Sequence, residues 1–205
     1  MWGPVRNLFY FFFDLLSNPA KWSVYQFLHH PLPPYQVNVG CNKNLVSGWI
    51  NVDRGGNARR ALRIDILGGL PFENNSVRFM ASSHFLEHLT RAEARQWFRE
   101  IQRVLQPGGV ARFAFPELGY FVRQYAAGRM QAFLNDPDTN GDKFNHLFYD
   151  YEHRYIYDEE TLRKDLTTAG FREVRSASWN QSQCKELQGL EGDNPYKVPC
   201  YEAVK

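Results

Sequence analysis

The sequence is short of cysteine and of long hydrophobic stretches, and each shortage excludes a class of protein. Its 205 residues include only three cysteines, Cys41, Cys184 and Cys200, an odd number without the close pairing of a zinc site. We therefore expect free thiols and a reducing compartment, the cytoplasm. No run approaches the roughly 20 apolar residues that a transmembrane helix needs.

The nearest apolar run, Leu8 to Leu16, is rich in phenylalanine but contains Asp14. This acid, and the lack of a small-residue cleavage site after the run, argue against a secretory signal. We interpret the segment as a packed helix. Contact of residues 4–16 with a membrane surface is a less favoured alternative.

A large excess of one charge is also missing. The chain has 24 basic and 22 acidic residues, so its net charge is only +2. A nucleic-acid-binding protein usually carries a basic stripe, and we therefore expect no nucleic-acid partner. Hydrophobic residues make up 43% of the chain and aromatic residues 16%, which is typical of a globular domain with a packed core.

The chain divides into an extension and one main domain. Residues 1–34 are interpreted as an N-terminal helical extension or lid, which ends in the stiff linker Pro31-Leu32-Pro33-Pro34. Residues 35–205 are long enough for a single α/β domain with its own core.

Local patterns predict the elements of that domain. Short apolar runs predict strands at 35–39, 49–52, 61–64, 77–81, 110–115, 171–179 and 198–204. Helical spacing predicts a helix at 90–105, where Thr90 and Glu93 form a capping box and Pro107-Gly108-Gly109 is the stop. A second helix is predicted from Asp158 to Gly170. Alternating strands and helices favour a parallel sheet with helices on its faces.

Polar residues or a glycine turn follow four of the predicted strands, at the edge where a parallel sheet binds ligands. These strand-end residues are Gly40-Cys41-Asn42, Asp53, Asp65 and Ser82-Ser83-His84. Gly40 and Asn42 tolerate the left-handed backbone that brings a loop close to a bound molecule. An acid after the second strand can accept both hydroxyls of a ribose, and Asp65 can accept a bond from an adenine amino group. The arrangement predicts a site for an adenosine-containing cofactor.

Five motifs follow one another along the chain. They read Val37-Asn38-Val39-Gly40-Cys41-Asn42, Gly48-Trp49-Ile50-Asn51-Val52-Asp53, Leu70-Pro71-Phe72-Glu73-Asn74-Asn75-Ser76-Val77, Ser82-Ser83-His84-Phe85-Leu86-Glu87-His88-Leu89 and Arg103-Val104-Leu105-Gln106-Pro107-Gly108-Gly109. In this order they resemble the motifs of class I S-adenosylmethionine (SAM)-dependent methyltransferases. The resemblance covers about residues 35–205. It is closest to small type 11-like methyltransferases linked to sugar and polysaccharide pathways. It implies a three-layer, Rossmann-like α/β fold, with a mostly parallel seven-stranded sheet whose last strand is antiparallel, and SAM as cofactor.

The resemblance also implies a role for each strand end. The family's cofactor-binding positions correspond to Gly40, Cys41, Asn42, Asp53, Asp65, Ile66, Ser83 and His84. The glycine loop would contact the methionine part of SAM, Asp53 the ribose, and Asp65 with Ile66 the adenine. Ser83 and His84 would lie beside the transferred methyl group. Because only about a dozen residues separate Gly40 from Asp53, the first helix of the family must be reduced to a turn here.

Histidine is the usual proton acceptor near neutral pH, and the catalytic candidates are His84 and His153. His84 ends a strand, whereas His153 precedes the last helix on the same sheet edge. His84 and His88 have helical ligand spacing, but no third ligand follows from the sequence, so we predict no metal site. Glu87 and His88 are interpreted as structural residues of a helix start. The loop at 180–197 should help to shape the acceptor pocket through Ser182, Glu186, Glu191 and Asp193.

The function that these patterns favour is methyl transfer from SAM to a small molecule. The absence of an Asn-Pro-Pro-Tyr motif after the fourth strand favours an oxygen acceptor, for which a sugar is one candidate. One alternative is a non-catalytic SAM-binding or partner-binding module. A second is a dinucleotide enzyme, although the chain lacks the full Gly-x-Gly-x-x-Gly motif and a long first helix.

Overall fold

The computed structural model describes residues 16–55, 61–130, 139–149, 151–192 and 197–205. Its strands are β1 (Tyr35–Val39), β2 (Ile50–Asp53), β3 (Leu62–Arg63), β4 (Val77–Ser83), β5 (Leu105–Ala114), β6 (Glu173–Ala177) and β7 (Cys200–Val204). They form one seven-stranded sheet in the order β3-β2-β1-β4-β5-β7-β6. Strands β1 to β5 pair in parallel, and β7 is antiparallel to both of its neighbours. The predicted fold class is therefore confirmed.

Within the described residues, five α-helices accompany the sheet. They are α1 (Asn18–His29), α2 (Arg91–Val104), α3 (Leu118–Ala126), α4 (Asn140–Tyr149) and α5 (Glu159–Thr168). The predicted capping box of α2 is present, because the Thr90 hydroxyl accepts from the Glu93 N–H and the Glu93 carboxylate accepts from the Thr90 N–H. Helix α5 begins after Asp158 as predicted, whereas no sequence pattern predicted α3 or α4.

Helix α1 packs against the sheet domain. It begins after Ser17, with a proline in its first turn, and buries Trp22 edge-on against Tyr35 and Phe72. The Asn18 amide donates to the carbonyl of Asp65 at 2.6 Å. Residues 4–15 of the phenylalanine-rich run lie outside the described residues. None of the described helices is long and apolar enough to cross a membrane.

Strand β5 is longer than its sequence pattern indicated. It begins at Leu105 rather than at Val110, so Pro107-Gly108-Gly109 lies inside the strand and does not stop a helix. The pairing of β4 with β5 shifts register in this stretch. Gly109 permits the irregularity, because a Cβ there would lie 3.0 Å from the carbonyl oxygen of Arg78.

The main core lies on one face of the sheet. Val37, Met80 and Ala111 are register partners across β1, β4 and β5, and all three are buried. Helix α2 packs Trp97 and Ile101 into the same cluster. The apolar side chains of α2, which recur at helical spacing, thus cover the buried face of the strands.

Irregular chain covers much of the opposite face in the described residues. Asn38 and Asn51 are register partners there, and the Asn38 amide donates to Asn51 Oδ1 at 3.0 Å. The Asn51 side chain also exchanges two hydrogen bonds with the backbone of Val46. These bonds hold residues 43–49 against the sheet, so the predicted reduction of the first helix to a turn is confirmed.

A buried ion network lies on the same face. Arg112 Nη1 is 2.7 Å from Glu202 Oε1, and Arg112 Nε is 2.5 Å from Glu191 Oε1. Because Glu191 belongs to the β6–β7 connection, the network fixes that connection to β5 and β7. Leu187, from the same connection, packs on Phe79. The expectation that Glu191 helps to shape an acceptor pocket is therefore corrected: its carboxylate is used in a structural ion pair.

Candidate functional site

A pocket of about 220 Å³ lies at the carboxyl ends of the parallel strands, where α/β sheets bind ligands. It is lined by Val39, Gly40, Val52, Asp53, Arg54, Ile64, Asp65, Ile66, Leu67, Phe85, His88, Leu89, Glu93 and Arg154. Four predicted cofactor residues, Gly40, Asp53, Asp65 and Ile66, are thus brought together. The topology explains why, since β3, β2 and β1 are adjacent and end at one edge.

Gly40 occupies a position that accepts no side chain. Its φ is +70°, and a Cβ added there would lie 2.5 Å from Cδ2 of Phe85. Its N–H donates to the carbonyl of Val52 at 2.9 Å, which closes the turn after β1. Asn42 follows with a φ of +40°, the left-handed conformation that the sequence predicts.

The Asp53 carboxylate organises the loops on both sides of it. Oδ2 accepts from the Asn42 N–H at 2.8 Å, and Oδ1 accepts from the Gly55 N–H at 2.9 Å. The sequence predicted a ligand contact for Asp53 but did not predict these two bonds. Asp53 therefore joins the turn after β1 to the turn after β2.

Asp65 begins a short 3-10 helix, Ile66–Gly68, after β3. Its Oδ1 accepts from the Leu67 N–H at 3.0 Å, and Arg54 Nε lies 3.7 Å from Oδ2. The Ile66 side chain is buried beside the pocket. A carboxylate and an apolar surface therefore stand next to each other at this end of the site.

Cys41 is buried in the turn rather than exposed in the pocket. Burial, with the nearby charge of Asp53, raises the pKa of its thiol to about 11. A thiol with so high a pKa is protonated at neutral pH and is a poor nucleophile. Cys41, Asn42, Ser83 and His84 are not among the residues that line the pocket.

His84 lies directly after β4 and next to a buried acid. Its backbone has a φ of +51°, and its N–H donates to the carbonyl of Ala114 at 2.8 Å. Nδ1 is 3.3 Å from Oε1 of Glu87, whose side chain is fully buried. The imidazole itself is 37% exposed, and its ring centroid lies 6.1 Å from that of Trp179. His84 is therefore both oriented and accessible.

His153 meets the same acid from another part of the chain. Its Nε2 is 4.0 Å from Glu87 Oε1, and its ring centroid is 5.1 Å from that of His88. Nδ1 is 2.5 Å from the carbonyl oxygen of Leu147. Burial lowers the pKa of His153. The two histidines that the sequence singled out thus both approach Oε1 of Glu87.

Several residues around the site were missed by the sequence analysis. The Arg154 N–H donates to the Glu87 carbonyl at 2.8 Å, and its guanidinium is 2.8 Å from the Glu93 carboxylate. Glu93 was assigned only to a helix cap, and His88 only to a helix start. The one signal for His88 was its position four residues after His84. Nothing local predicted that residues near 154 would reach the 3-10 helix that follows β4.

The β6–β7 connection lies at the same sheet edge as the pocket. Ala114 at the end of β5 pairs with Cys200 at the start of β7, and Cys200 pairs with Ala177 at the end of β6. Ser182 Oγ accepts from the Cys184 N–H at 3.0 Å. Glu186 lies in the 3-10 helix Lys185–Leu187, and Asp193 lies outside the described residues. This connection contacts a catalytic candidate through Trp179, whose ring lies beside that of His84. No sequence motif indicated Trp179.

Residues 47–113 match a methyltransferase domain family. Among solved structures, a SAM-dependent methyltransferase from Archaeoglobus fulgidus is 15% identical, with a TM-score of 0.52, over 98% of this chain and 99% of that one. The phosphoethanolamine N-methyltransferase 2 of Haemonchus contortus, solved with SAM, is 14% identical with a TM-score of 0.53 over 91% of this chain. No curated protein matches the sequence.

The chain matches nearly the whole length of the A. fulgidus protein but not of the H. contortus protein. The chain spans about half of the H. contortus protein, 52% of its length. At these identities the structural likenesses show the fold alone. The domain match covers β2 to β5, which includes the acids after β2 and β3 and the histidines after β4.

Proposed function

We propose that the chain is a class I SAM-dependent methyltransferase and that it methylates an oxygen of a small hydroxylated acceptor. The observation that carries this proposal is the convergence of Gly40, Asp53 and Asp65, from the ends of three adjacent strands, on one pocket. A sugar is the acceptor class that we favour, following the sequence resemblance.

The pocket fits SAM, the cofactor of this family, in three respects. Glycine at position 40 lets the Phe85 ring pack directly on the backbone of the turn after β1, and both residues line the pocket. Each Asp53 oxygen accepts one backbone N–H and retains a lone pair for a ribose hydroxyl. Ile66 offers apolar surface for an adenine ring beside Asp65. When bound, SAM supplies an electrophilic methyl group on a sulfonium.

His84 is the proposed general base. A hydroxyl acceptor must lose its proton as its oxygen becomes a nucleophile, and a positioned imidazole can accept that proton. Glu87 Oε1 faces Nδ1 at 3.3 Å, and this contact orients the imidazole ring. The buried carboxylate would also stabilise the imidazolium that forms, as in other acid–histidine pairs.

His153 is less suited to that role, although the sequence proposed it beside His84. Its side chain is only 7% exposed, and Nδ1 is engaged with the carbonyl of Leu147. We therefore assign His153 a position in the wall of the site.

Calorimetry with SAM and with S-adenosylhomocysteine tests cofactor binding directly. We expect both to bind the wild-type chain. Failure to detect either at millimolar concentration would refute the enzyme proposal and favour a partner-binding module, and binding of NAD alone would favour a dinucleotide enzyme. A SAM-consumption screen over sugars and other hydroxylated compounds then tests the acceptor. The screen should include phosphomonomethylethanolamine, which is bound in a H. contortus structure, because turnover of that amine alone would refute an oxygen acceptor.

The variant His84→Ala tests the assignment of the base. We expect turnover to fall by about 10²- to 10⁴-fold, the usual contribution of a general base, while SAM affinity changes little. His29→Ala, which removes an exposed histidine of α1, is the matched control and should change neither quantity. Equal losses of turnover and SAM affinity in His84→Ala would instead indicate a binding role.

A further inference from the structure

Three potential ligand side chains meet behind His84. Glu87 and His88 come from the 3-10 helix Leu86–His88, and His153 comes from the segment that follows α4. One ligand atom from each lies within 4.8 Å of those of the other two. Two imidazoles and one carboxylate form the ligand set of several catalytic zinc sites.

The Glu87 carboxylate is the first sign that the cluster favours a cation. The side chain is fully buried, and Oε1 faces His84 Nδ1 at 3.3 Å. Oε2 is also buried but has no hydrogen-bond partner among the described residues. A buried carboxylate oxygen is rarely left without a partner, because its desolvation is then uncompensated. A metal ion would provide that partner.

The orientation of His153 is the second sign. The carbonyl oxygen of Leu147, at 2.5 Å, can accept a hydrogen bond only if Nδ1 carries the proton. In the neutral ring Nε2 then keeps its lone pair, and it lies 4.0 Å from Glu87 Oε1. Metal-binding histidines commonly donate their second nitrogen to a backbone carbonyl in this way, which fixes the ring and the tautomer.

Although the sequence predicted no metal site, we propose that Glu87, His88 and His153 bind one divalent transition-metal ion, with zinc as the best match. Imidazole ligands favour zinc over magnesium or calcium, which prefer sites built from oxygen atoms. Tetrahedral zinc, with bonds of about 2.1 Å, separates its ligand atoms by about 3.4 Å. Binding therefore draws these side chains together by roughly an ångström. Three protein ligands leave a fourth position for another molecule.

The position of the cluster connects the ion to the reaction, and this step depends on the proposed function. His88 also lines the cofactor pocket, and Glu87 contacts the proposed base His84. A hydroxyl oxygen coordinated at the fourth position would have a lowered pKa, as metal-bound water does. Its proton would then pass to His84, and the oxygen would keep the electron pair of the broken O–H bond.

Metal binding can be measured without SAM or an acceptor. The chain is prepared without a polyhistidine tag, stripped with a chelator and titrated with zinc, and its metal content is determined by mass spectrometry. We expect one zinc ion per chain. Substitution with cobalt should give the visible absorption of a tetrahedral ion with nitrogen and oxygen ligands. Wild-type chain that retains less than a tenth of an equivalent of either metal would overturn the proposal.

Variants then identify the ligands. Glu87→Gln preserves the shape of the side chain. We expect Glu87→Gln, His88→Ala and His153→Ala each to weaken zinc affinity at least tenfold, because the loss of a residue that only hydrogen-bonds to a metal ligand already has an effect of that size. His29→Ala is the matched control and should bind zinc like the wild type. Affinity unchanged in Glu87→Gln, with its circular dichroism preserved, would refute the assignment. Zinc binding without methyl transfer would support the metal site and refute the proposed function. Methyl transfer without zinc binding would refute only the metal site.

Discussion

Asp53 combines a structural task with a proposed ligand contact. Its two oxygens accept backbone N–H groups from the turns after β1 and β2, so the carboxylate holds the entrance of the pocket in shape. A ribose would add hydrogen bonds to oxygens that are already fixed in position. Such preorganisation lowers the entropy lost when a ligand binds.

The substitution Asp53→Ala should therefore weaken SAM binding by on the order of 1.5–3 kcal/mol, or about 10- to 150-fold in Kd. Calorimetry measures the change, and Asp53→Asn should give an intermediate value because it keeps one acceptor oxygen. Wild-type affinity in Asp53→Ala would contradict the ribose assignment.

Gly40 and Gly48 form a natural comparison at the same scale. Both have a positive φ, but a Cβ at Gly40 would meet Phe85, whereas a Cβ at Gly48 would meet nothing within 4 Å. The backbone strain of an alanine is therefore similar at the two positions, and only Gly40→Ala adds a steric clash.

We expect Gly40→Ala to be less stable than Gly48→Ala by about 1–3 kcal/mol, the usual effect of overpacking, when unfolding is followed in urea. Gly40→Ala should also weaken SAM binding more than Gly48→Ala does. The double variant Gly40→Ala/Phe85→Ala should recover part of the affinity. Equal behaviour of the two glycine variants would show that the contact with Phe85 is unimportant.

At the scale of the element, the cap of α2 links folding to the site. Thr90 exchanges hydrogen bonds with Glu93, and Glu93 also pairs with Arg154, which follows His153. The start of this helix therefore helps to position both the 3-10 turn that carries His88 and the segment that carries His153.

Replacement of Thr90 by alanine should lower the free energy of unfolding by about 1 kcal/mol, a typical value for an N-cap. Thr167→Ala, at an exposed position of α5, is the control and should change stability by much less. Thermal or urea unfolding gives both values. A loss in Thr167→Ala as large as that in Thr90→Ala would contradict the capping role.

Elements with strong local signals were predictable, and those without them were not. Helix α2 has a capping box and a clear apolar stripe, and both were recognised. Helix α3 begins instead after Glu117, whose carboxylate accepts the N–H groups of Gly119 and Tyr120, and glutamate is not a preferred N-cap residue. The start of β5 was missed because Pro107-Gly108-Gly109 resembles a helix stop.

The candidate site divides in the same way. Gly40, Asp53 and Asp65 were predictable as neighbours, because adjacent parallel strands end together. The meeting of His153 with Glu87 depends on a long-range contact that no local pattern encodes. The sequence alone therefore indicated a cofactor site but not the side-chain cluster behind it.

At the scale of the whole molecule, Asp165 of α5 joins two helices that pack on the sheet. Its buried carboxylate lies 2.8 Å from the guanidinium of Arg91 and 2.8 Å from that of Arg95, both on α2. Burial alone would raise the pKa of Asp165, but the hydrogen bonds from the two arginines outweigh it and lower the pKa to about 2. The pKa of an aspartate in an unfolded chain is about 3.9. Because the folded protein lowers the pKa of Asp165, the charged carboxylate stabilises the folded state.

This stabilisation should be complete above about pH 4 and should be lost as the pH falls towards 2. Asp165→Asn should accordingly be less stable than wild type at neutral pH, and the difference should shrink over that acidic range. Melting temperatures of both proteins between pH 2 and pH 7 test this. A difference that does not depend on pH would contradict the assignment.

The position of β7 between β5 and β6 has a consequence for the order of events during synthesis. Among the strands that the structure describes, β6 pairs with β7 alone, and residues 200–204 of β7 lie between it and β5. The ribosome must therefore release Cys200–Val204 before β6 can join the sheet. Until then the nascent chain exposes one unpaired edge of β5, which is a surface for chaperones to shield.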